Sequence, residues 1–408
     1  MTAASMKNAW ATKIEKELKE NILAFWMRHS IDEENDGFLE TIRSDVTIAP
    51  DKEKSLVLHA RMLWTFAAAY RLYPEKPYRL TAERAYRCLT DRFSDKEHGG
   101  FYWKLDADGQ PIEDRKHVSA QANVIYALSE WARASGQAEA LGLAVELFRL
   151  LERNAYDAQH KAYAEALARD WSIVGNEGSP GNQQPEIQRL STYLHLLESY
   201  TSLYRVWPMK ELHVKLKELV DVMLDHVVDE HSAHFRLRFA EGWRPAADSV
   251  SYGRDMEGGW LLCKAASALG DAPLANRARR AALRTAEAVL EQGVDIDGGI
   301  WNEAAASGKL IDTNKDWWPQ AEAVVGFYNA YQLSGDERFL SAAQRSWSFI
   351  ERYIVDDVNG EWHWGVTESG SPLPDRPKGS ERKSPYHNSR ACYEMLELLG
   401  ALKTASKQ

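Results

Sequence analysis

The chain has 408 residues, a net charge of −10 and 44% hydrophobic residues. It is long enough for a large core, and its acidic balance excludes the general basic character of proteins that bind nucleic acids. No apolar run reaches the roughly 18 residues that span a membrane, and the N-terminus has no apolar signal-peptide core. The three cysteines, Cys88, Cys263 and Cys392, show no pairing pattern, so we expect reduced thiols in a cytoplasmic protein.

In chain order, short segments of glycine and aromatic residues recur about every 60 to 75 residues, which indicates an internal repeat. Paired amphipathic patterns lie between them and predict helices. The segments cover residues 36–38, 99–103, 162–165, 234–237, 298–301 and 360–364. The predicted helices cover residues 8–29, 55–73, 77–93, 117–135, 137–154, 187–206, 210–228, 252–269, 272–292, 316–333, 336–354 and 385–403.

Twelve helices in six hairpins predict an all-α fold, a closed (α/α)6 barrel with alternate helices in an inner ring. The inner helices should be apolar on more than one face, because both of their sides are covered. The glycine and aromatic segments would form short strands or loops at one rim. No linker interrupts the pattern, so we expect a single catalytic domain over residues 1–408, with a long loop over the cleft at 170–185.

The stretch 384–390 reads as the start of the last helix. Ser384 is suited to cap it, and Pro385 suits the first turn. His387 then lies at the mouth of the helix, and an unperturbed imidazole pKa of about 6.5 is suited to proton transfer near neutrality. A capping or buried structural histidine is the alternative interpretation of this position.

Other predicted inner helices also carry polar side chains near their starts, where the helices would converge on one cavity. Arg61 lies within an otherwise apolar helix, although a surface ion pair is the simpler interpretation. His195 lies beside an apolar stripe and reads equally well as a core histidine or a catalytic one. The stretch 116–121 is the weakest of these candidates.

Two more helix starts contain charged or aromatic candidates. Arg254 and Glu257 are three residues apart, so they can pair on one face of a helix. Trp317 and Trp318 are adjacent and therefore point in different directions, so at least one should line the cleft. The chain has 15 tryptophans and 17 tyrosines, and sugar-binding clefts use aromatic faces of this kind.

The motifs HARMLW, YLHLLESYTSLYRVW, SYGRDMEGGWLL, WWPQAEA and PYHNSR occur in this order over nearly the whole chain. Together they resemble the N-acylglucosamine 2-epimerase superfamily, particularly its cellobiose and mannose 2-epimerase branches. The resemblance implies the (α/α)6 barrel that the repeats indicate independently. It also implies an isomerase that acts on sugars without a redox cofactor.

The resemblance assigns roles to individual positions. His387 matches a catalytic histidine that moves the proton at C2, and His195 matches a histidine associated with ring opening and positioning. Arg61 matches an arginine that contacts the sugar and its enediolate. Glu257 matches a carboxylate that orients the sugar and a histidine, and Trp317 matches a stacking tryptophan.

Four positions depart from the family pattern. Arg254 stands where the family has its second catalytic histidine, and Ser191 begins Ser-Thr-Tyr-Leu-His where the family has Asn-Thr-His-Leu-His. Ser119 replaces a tyrosine of the cleft. Arg382 replaces a tryptophan that stacks on the far sugar of a disaccharide. The cleft should therefore be smaller or more polar than that of a typical disaccharide epimerase.

The chemistry leaves three readings open. C2 of an open-chain aldose lies beside a carbonyl, so a base can remove its proton to give an enediolate, and Arg61 can stabilise the oxyanion. A 2-epimerase would use His387 and His195, whereas an aldose–ketose isomerase would use mainly His387. Arg254 cannot act as an ordinary base but can hold an anion, so an anionic sugar is the third reading.

Two other classes remain. A glycoside hydrolase would need two carboxylates about 5 to 10 Å apart, and a sugar-binding protein would use the aromatic residues alone. The candidate carboxylates are Asp255, Glu257, Glu303 and Glu322.

We expect no metal, no nucleic acid partner and no membrane partner, and we expect a monomer or homodimer. Three histidines resemble a metal site, but they follow a helix end and a polar turn, so we interpret them as surface residues. They are His226, His231 and His234.

Overall fold

The computed structural model describes residues 3–50, 52–173 and 188–402. Helix α1 (Ala3–Lys16) continues through a π-helical turn (Glu17–Leu23) into α2 (Ala24–His29), so these three form one long helix. The other helices are α3 (Leu56–Leu72), α4 (Lys76–Cys88), α5 (Val118–Ser135), α6 (Ala138–Asn154), α7 (Leu190–Val206), α8 (Lys210–Val222), α9 (Tyr252–Leu269), α10 (Ala272–Gln292), α11 (Trp317–Ser334), α12 (Glu337–Phe349) and α13 (Tyr386–Leu398).

All pairings between the short strands are antiparallel. The strands are β1 (Lys54–Ser55), β2 (Lys104–Leu105), β3 (Pro111–Glu113), β4 (Lys116–His117), β5 (Tyr156–Asp157), β6 (Ala162–Tyr163), β7 (Ala166–Leu167), β8 (Gln188–Arg189), β9 (Arg238–Ala240), β10 (Arg244–Pro245), β11 (Ser249–Ser251), β12 (Glu303–Ala305), β13 (Leu310–Asp312), β14 (Lys315–Asp316) and β15 (Gly365–Val366). The sheets are β1-β2-β3, β8-β9-β10, β11-β12-β13, β4-β7, β5-β6 and β14-β15.

Six helices form a closed inner ring. Helix α3 packs on α5, and the contacts continue through α7, α9, α11 and α13 back to α3. The outer helices pack against this ring, each mainly on the inner helix that precedes it, and α1 packs on α13. The predicted (α/α)6 barrel is therefore confirmed for the described part of the chain.

The inner and outer helices differ in how much of their surface is buried, as the sequence pattern predicts. In the inner helix α3, every residue from Leu56 to Ala69 except Val57 is buried. The outer helix α4 buries only one stripe, with residues three and four apart from Tyr78 to Cys88. An inner helix is covered on all sides by its neighbours, so its apolar residues extend around the whole helix.

Most predicted helix boundaries agree with the structure to within a few residues, but the last helix ends five residues before the predicted end, and the predicted Ser384 cap is wrong. Its first helical residue is Tyr386, Pro385 is the capping residue, and the Ser384 hydroxyl makes no capping bond. The helix ends at Leu398, and Gly400 with φ of 71° turns the chain away. The first helix begins at residue 3, earlier than predicted.

Each outer helix leads into a tight turn at the same rim, and each of the six turns contains a residue with positive φ. The turn at Gly99 and Gly100 has φ of 74° and 69°. A Cβ on Gly100 would also come within 2.5 Å of Trp171, so this turn requires glycine. The glycine and aromatic segments are therefore rim turns closed by short antiparallel pairings, as predicted.

One buried polar side chain ties each rim turn to the inner helix that follows it. The Phe38 N–H donates to His59 Nε2 at 3.2 Å, and the Phe101 N–H donates to Gln121 Oε1 at 3.0 Å. In the last repeat Asn388 in α13 donates through Nδ2 to Oε1 of Glu361, a residue of the rim turn, at 2.6 Å. We call these side chains the tie residues: His59, Gln121, Tyr193, Asp255, Gln320 and Asn388. The candidate stretch 116–121 is thus largely structural.

Part of the predicted cleft loop, residues 174–185, lies outside the described residues. All three cysteines are free thiols. No helix in the described ranges has the length and apolar character needed to cross a membrane.

Candidate active site

A cavity of about 720 Å³ opens at the rim where the inner helices begin. Five inner helices start directly after a short rim strand, so their N-termini, the positive ends of the helix dipoles, converge there. Eight of the predicted site residues line this cavity: Arg61, Ser119, Ser191, Arg254, Trp317, Trp318, Arg382 and His387. His195 and Glu257 are buried but do not line it.

A second cavity, of about 660 Å³, lies around the C-terminal halves of the inner helices. Lys264 and Glu394 pair on its wall, and Trp260 forms part of its lining. None of the predicted site residues lines it, so the rim cavity is the candidate active site.

The residue two positions after each tie residue is also polar and buried. These six side chains come from the six inner helices at equivalent positions, so they form one layer across the ring. We call this set the polar layer: Arg61, Asn123, His195, Glu257, Glu322 and Arg390. Hydrogen bonds join several of its members, and its member Arg61 also lines the cavity.

His387 lies above this layer and is held by one of its carboxylates. Its Nδ1 lies 2.7 Å from Glu322 Oε1, while Glu322 Oε2 accepts the Trp260 indole N–H at 3.0 Å. With Nδ1 bonded to the carboxylate, the proton is assigned to Nδ1 and the lone pair to Nε2. Nε2 has no hydrogen-bond partner among the described residues, and His387 lines the cavity.

Arg390 joins three buried carboxylates. Its Nη2 lies 2.7 Å from Glu257 Oε1 and 2.6 Å from Glu322 Oε1, and its Nη1 donates to Glu198. Its side chain and those of the three carboxylates are almost fully buried. Such a group is stable only when every charge is paired, so this arginine fixes the positions of the carboxylates.

His195 lies at the other end of the same network. Its Nδ1 is 3.2 Å from Glu198 Oε2, and the other oxygen of Glu198 accepts from Arg390 and from the Tyr386 hydroxyl. His195 is therefore tethered to a carboxylate as His387 is. A continuous path of hydrogen bonds joins the two histidines through Arg390.

Arg61 is only 8% exposed and makes no ion pair with any described residue. Its Nε donates to Asn123 Oδ1 at 3.2 Å, and its guanidinium lies 4.5 Å from the centre of the Tyr386 ring. The surface ion pair considered from the sequence is therefore wrong. A buried cation without a carboxylate partner is suited to hold negative charge that develops in the cavity.

Arg254 pairs with Glu257, as the three-residue spacing predicts, with 2.7 Å between Nη1 and Oε2. Its guanidinium also lies 4.8 Å from the centre of the Trp318 ring, and this ring lies 5.6 Å from that of His387. Arg254 and His387 therefore both lie near one tryptophan ring, and the arginine side chain is 25% exposed.

Burial and neighbouring charges set the protonation states of the two histidines and their carboxylate neighbours. Burial lowers the pKa of His387 well below its usual value, and the nearby arginines add to this effect. Burial also lowers the pKa of His195. Arg254 and Arg390 hold the pKa of Glu257 low despite its burial, whereas burial raises the pKa of Glu322. At neutral pH both imidazoles are therefore neutral and able to accept a proton.

Aromatic side chains cover much of the cavity wall. Trp317 and Trp318 both line it, and so do Trp103 and Trp364, which the sequence did not single out. The Trp317 and Trp364 rings meet edge to face at 4.8 Å. The stacking surface of the cavity is thus larger than the sequence motifs indicated.

One group with metal-ligand spacing occurs among the described residues, Glu257, Glu322 and His387, whose atoms lie within 4.8 Å of one another. The Arg390 guanidinium already binds both carboxylates of this group. The positive charge between them therefore comes from the protein itself.

The histidines that resemble a metal site from the sequence are not all on the surface. His226 and His231 are exposed, but His234 is 5% exposed and its Nδ1 lies 2.7 Å from Asp255 Oδ2. The prediction was wrong for His234, because this histidine supports a tie residue. The same bond explains why Asp255 does not reach the cavity. The other three hydrolase candidates do not line it either: Glu257, Glu303 and Glu322.

Comparisons with known proteins identify the family to which the chain belongs. The chain matches the family model of N-acylglucosamine 2-epimerase over residues 37–391. It is 40% identical over 384 residues to a cellobiose 2-epimerase of Bacteroides fragilis, covering 94% of this chain and 98% of the relative. It is 25% identical over 413 residues to the N-acylglucosamine 2-epimerase of Homo sapiens, covering 97% of this chain and 91% of the relative.

A solved structure of cellobiose 2-epimerase from Bacillus thermoamylovorans B4167 has a TM-score of 0.89 and 36% identity over 96% of this chain and 99% of that one. A D-mannose isomerase structure, at 23% identity and a TM-score of 0.83, shares the fold. Fold and site thus define an α/α-barrel isomerase of carbohydrates. The chain belongs to the N-acylglucosamine 2-epimerase family, and it is a carbohydrate epimerase.

Sequence reasoning missed Asn123, Glu198 and Arg390 as members of the network, and it considered Glu322 only as a hydrolase carboxylate. A signal for most of them exists in the repeats. Once the tie residues are aligned, a polar residue two positions later in each inner helix identifies the polar layer. Glu198, one turn beyond His195, carries no such signal.

Proposed function

We propose that this enzyme epimerises the reducing-end aldose of a glucose- or mannose-type sugar at C2, with His387 as the base that removes the C2 proton. One observation carries the proposal. A neutral imidazole lines the cavity, its Nδ1 is held by Glu322, and its Nε2 has no partner among the described residues. A positioned base of this kind suits proton abstraction beside a carbonyl.

Removal of the C2 proton leaves an enediolate, and fixed cations beside the cavity would stabilise its negative charge. Arg61 is buried and makes no ion pair with a described residue, so its charge is available to the oxyanion. Glu257 holds Arg254 on the cavity wall as a second cation. A proton is returned to C2 at the end of the cycle, so the proposed reaction consumes no redox cofactor.

Epimerisation also requires a proton on the opposite face of C2, and we assign that step to His195. Burial lowers the pKa of His195, so this imidazole is neutral and Glu198 orients it through Nδ1. His195 would take up a proton from solvent and deliver it to the second face of the enediolate, while His387 keeps the C2 proton and releases it to solvent after the turnover. Trp317 and Trp318 would stack on the sugar, and Ser119, Ser191 and Arg382 would contact its hydroxyl groups.

Aldose–ketose isomerisation is the second candidate, and a specific observation favours it. Of the two proposed acid/base histidines, only His387 lines the cavity. Arg254 does not exchange protons near neutrality, because arginine side chains stay protonated in proteins. A single base moves a proton from C2 to C1 on one face, which produces a ketose.

The relatives support a disaccharide as one substrate. Five of the curated relatives are cellobiose 2-epimerases, at 31% to 40% identity. The cavity of about 720 Å³ is within the usual range for small-molecule sites of about 300 to 1,000 Å³. We extend the proposal to one catalytic domain that acts in the cytoplasm as a monomer or homodimer, without nucleic acid partners.

The test is a proton NMR incubation in heavy water with glucose, mannose, fructose and cellobiose. Exchange of the C2 proton together with appearance of the C2 epimer supports the proposed epimerisation. Exchange that yields mainly ketose supports the second candidate. Release of monosaccharide from cellobiose, or no exchange with any of the sugars, would contradict both.

A further inference from the structure

Arginines are concentrated at the rim cavity of an otherwise acidic chain. The protein carries a net charge of −10, but four arginines line the cavity against three carboxylic acids. The two histidines on its wall, His117 and His387, have pKa values lowered by burial and are therefore neutral. The arginines are Arg61, Arg189, Arg254 and Arg382, and the acids are Glu165, Asp316 and Glu381.

Two of the three acids are affected by their immediate surroundings. Glu165 accepts the backbone N–H of Arg189 at 2.7 Å and the hydroxyl of Thr192 at 2.8 Å. Burial raises the pKa of Asp316 to about 6, so part of this group is neutral in mildly acidic solution. In mildly acidic solution the lining therefore contains more arginines than ionised acids.

The four arginines occupy two depths. Arg61 and His387 are buried, at 8% and 6% exposed, whereas Arg189 and Arg382 are exposed at the mouth. Arg254 lies between these levels and is paired with Glu257. Neither mouth guanidinium has a hydrogen bond or ion pair with a described residue. Two unpaired guanidinium groups therefore stand where the part of a substrate remote from the reacting carbon would lie.

We propose that the preferred substrate carries an oxyanion, a carboxylate or a phosphate, on the sugar unit that extends toward the mouth, and that Arg189 and Arg382 bind it. A guanidinium offers a planar pair of donors that matches either group. Tryptophans on the same wall supply faces for the sugar rings. The inference rests on the proposed function for the orientation of the sugar, with its reducing end at His387.

The experiment compares three disaccharides that share a reducing-end glucose: cellobiose, cellobiouronic acid and cellobiose 6′-phosphate. Dissociation constants are measured by titration calorimetry at about 20 mM and about 0.5 M salt, where the Debye length falls from about 20 Å to about 4 Å. At low salt we expect at least one anionic disaccharide to bind about tenfold more tightly than cellobiose, the equivalent of about 1.4 kcal/mol. The difference should shrink at high salt.

Arg189→Gln and Arg382→Gln should each reduce the ratio of anionic to neutral affinity, and the double variant should bring this ratio close to one. Arg87→Gln is the matched control, because it removes an exposed arginine from the outer helix α4. Equal affinity for the three sugars, or no detectable binding of any, would overturn the proposal. A preference that survives the double variant would overturn the assignment to these arginines.

Heavy-water exchange on the same samples separates this inference from the proposed function. Tight binding of an anionic disaccharide without C2 exchange would refute the epimerase proposal but support the anion site. Exchange at C2 with equal affinities for the three sugars would support the epimerase proposal and refute the anion site. Tighter binding of cellobiouronic acid would show that the mouth accepts a carboxylate, and tighter binding of cellobiose 6′-phosphate would show that it accepts a phosphate.

Discussion

The starts of α13 and α9 face the same cavity but serve different chemistry. His387 and Arg254 both lie near the Trp318 ring, and each is held by a carboxylate of the polar layer. His387 is nearly buried and neutral, whereas Arg254 is partly exposed and permanently charged. His387 at the start of α13 can therefore exchange a proton, whereas Arg254 at the start of α9 can only hold a charge.

The two helix starts are coupled through one arginine. Arg390 binds Glu257 on the Arg254 side and Glu322 on the His387 side. It also binds Glu198, which orients His195. A change on either side is therefore expected to reach the other through this network, and variants at the two helix starts should differ in kind as well as in size.

The largest effect is expected for His387→Asn, which removes the proton acceptor and retains a polar side chain of similar shape. The rate of C2 exchange should fall by about 10²- to 10⁴-fold, because a positioned general base contributes about that much. The measurement is solvent exchange by NMR, with circular dichroism to verify folding. His160→Asn is the control, since this histidine pairs with Asp157 at the surface. Exchange at near the wild-type rate would contradict the role of His387.

A smaller loss of kcat is expected when Glu322, which holds His387, is replaced and His387 itself is kept. Glu322→Gln should lower kcat by about 10²-fold or more, because an amide cannot hold the imidazole in the same tautomer and orientation. The KM should change little, since Glu322 does not line the cavity. If KM rises and kcat is unchanged, Glu322 acts on substrate binding rather than on His387.

Arg254→His tests the other helix start directly. A second titratable group beside C2 should raise the initial ratio of C2 epimer to ketose by about tenfold, since reprotonation on the opposite face gains a donor. Product ratios are read at early times by NMR or chromatography, and Arg254→Lys serves as the charge-retaining control. A drop in both products would show that the arginine itself is required.

The smallest effect is a pH shift. Burial and nearby arginines lower the pKa of His387, so the acidic limb of kcat/KM should lie well below pH 6.5 in the wild type. Arg254→Gln removes one of these cations, which favours the protonated imidazole, and the limb should move to higher pH. Arg382→Gln is the matched control at the mouth. A shift of the acidic limb to lower pH would contradict the expectation that Arg254 lowers the pKa of His387.

The polar residues of the inner helices show how far sequence reasoning can reach. His59, His195 and His387 are all buried histidines near the starts of inner helices. His59 bonds to a rim turn, whereas His195 and His387 bond to carboxylates of one network. Their local sequences do not distinguish these environments, because each partner comes from a distant part of the chain.

The sequence by itself determined the barrel, its inner and outer helices, the rim turns and eight of the residues that line the cavity. These features follow from apolar periodicity, turn residues and the repeat, which are local properties of the chain. The Arg254–Glu257 pair was also predictable, because three residues separate its partners on one helix.

Only the tertiary structure decided which carboxylate holds each histidine, that Arg390 joins three of them, and that the guanidinium groups at the mouth pair with no described residue. It also decided that His387 is neutral. Burial and charges on other helices set these properties, and a linear pattern does not contain the distances between helices.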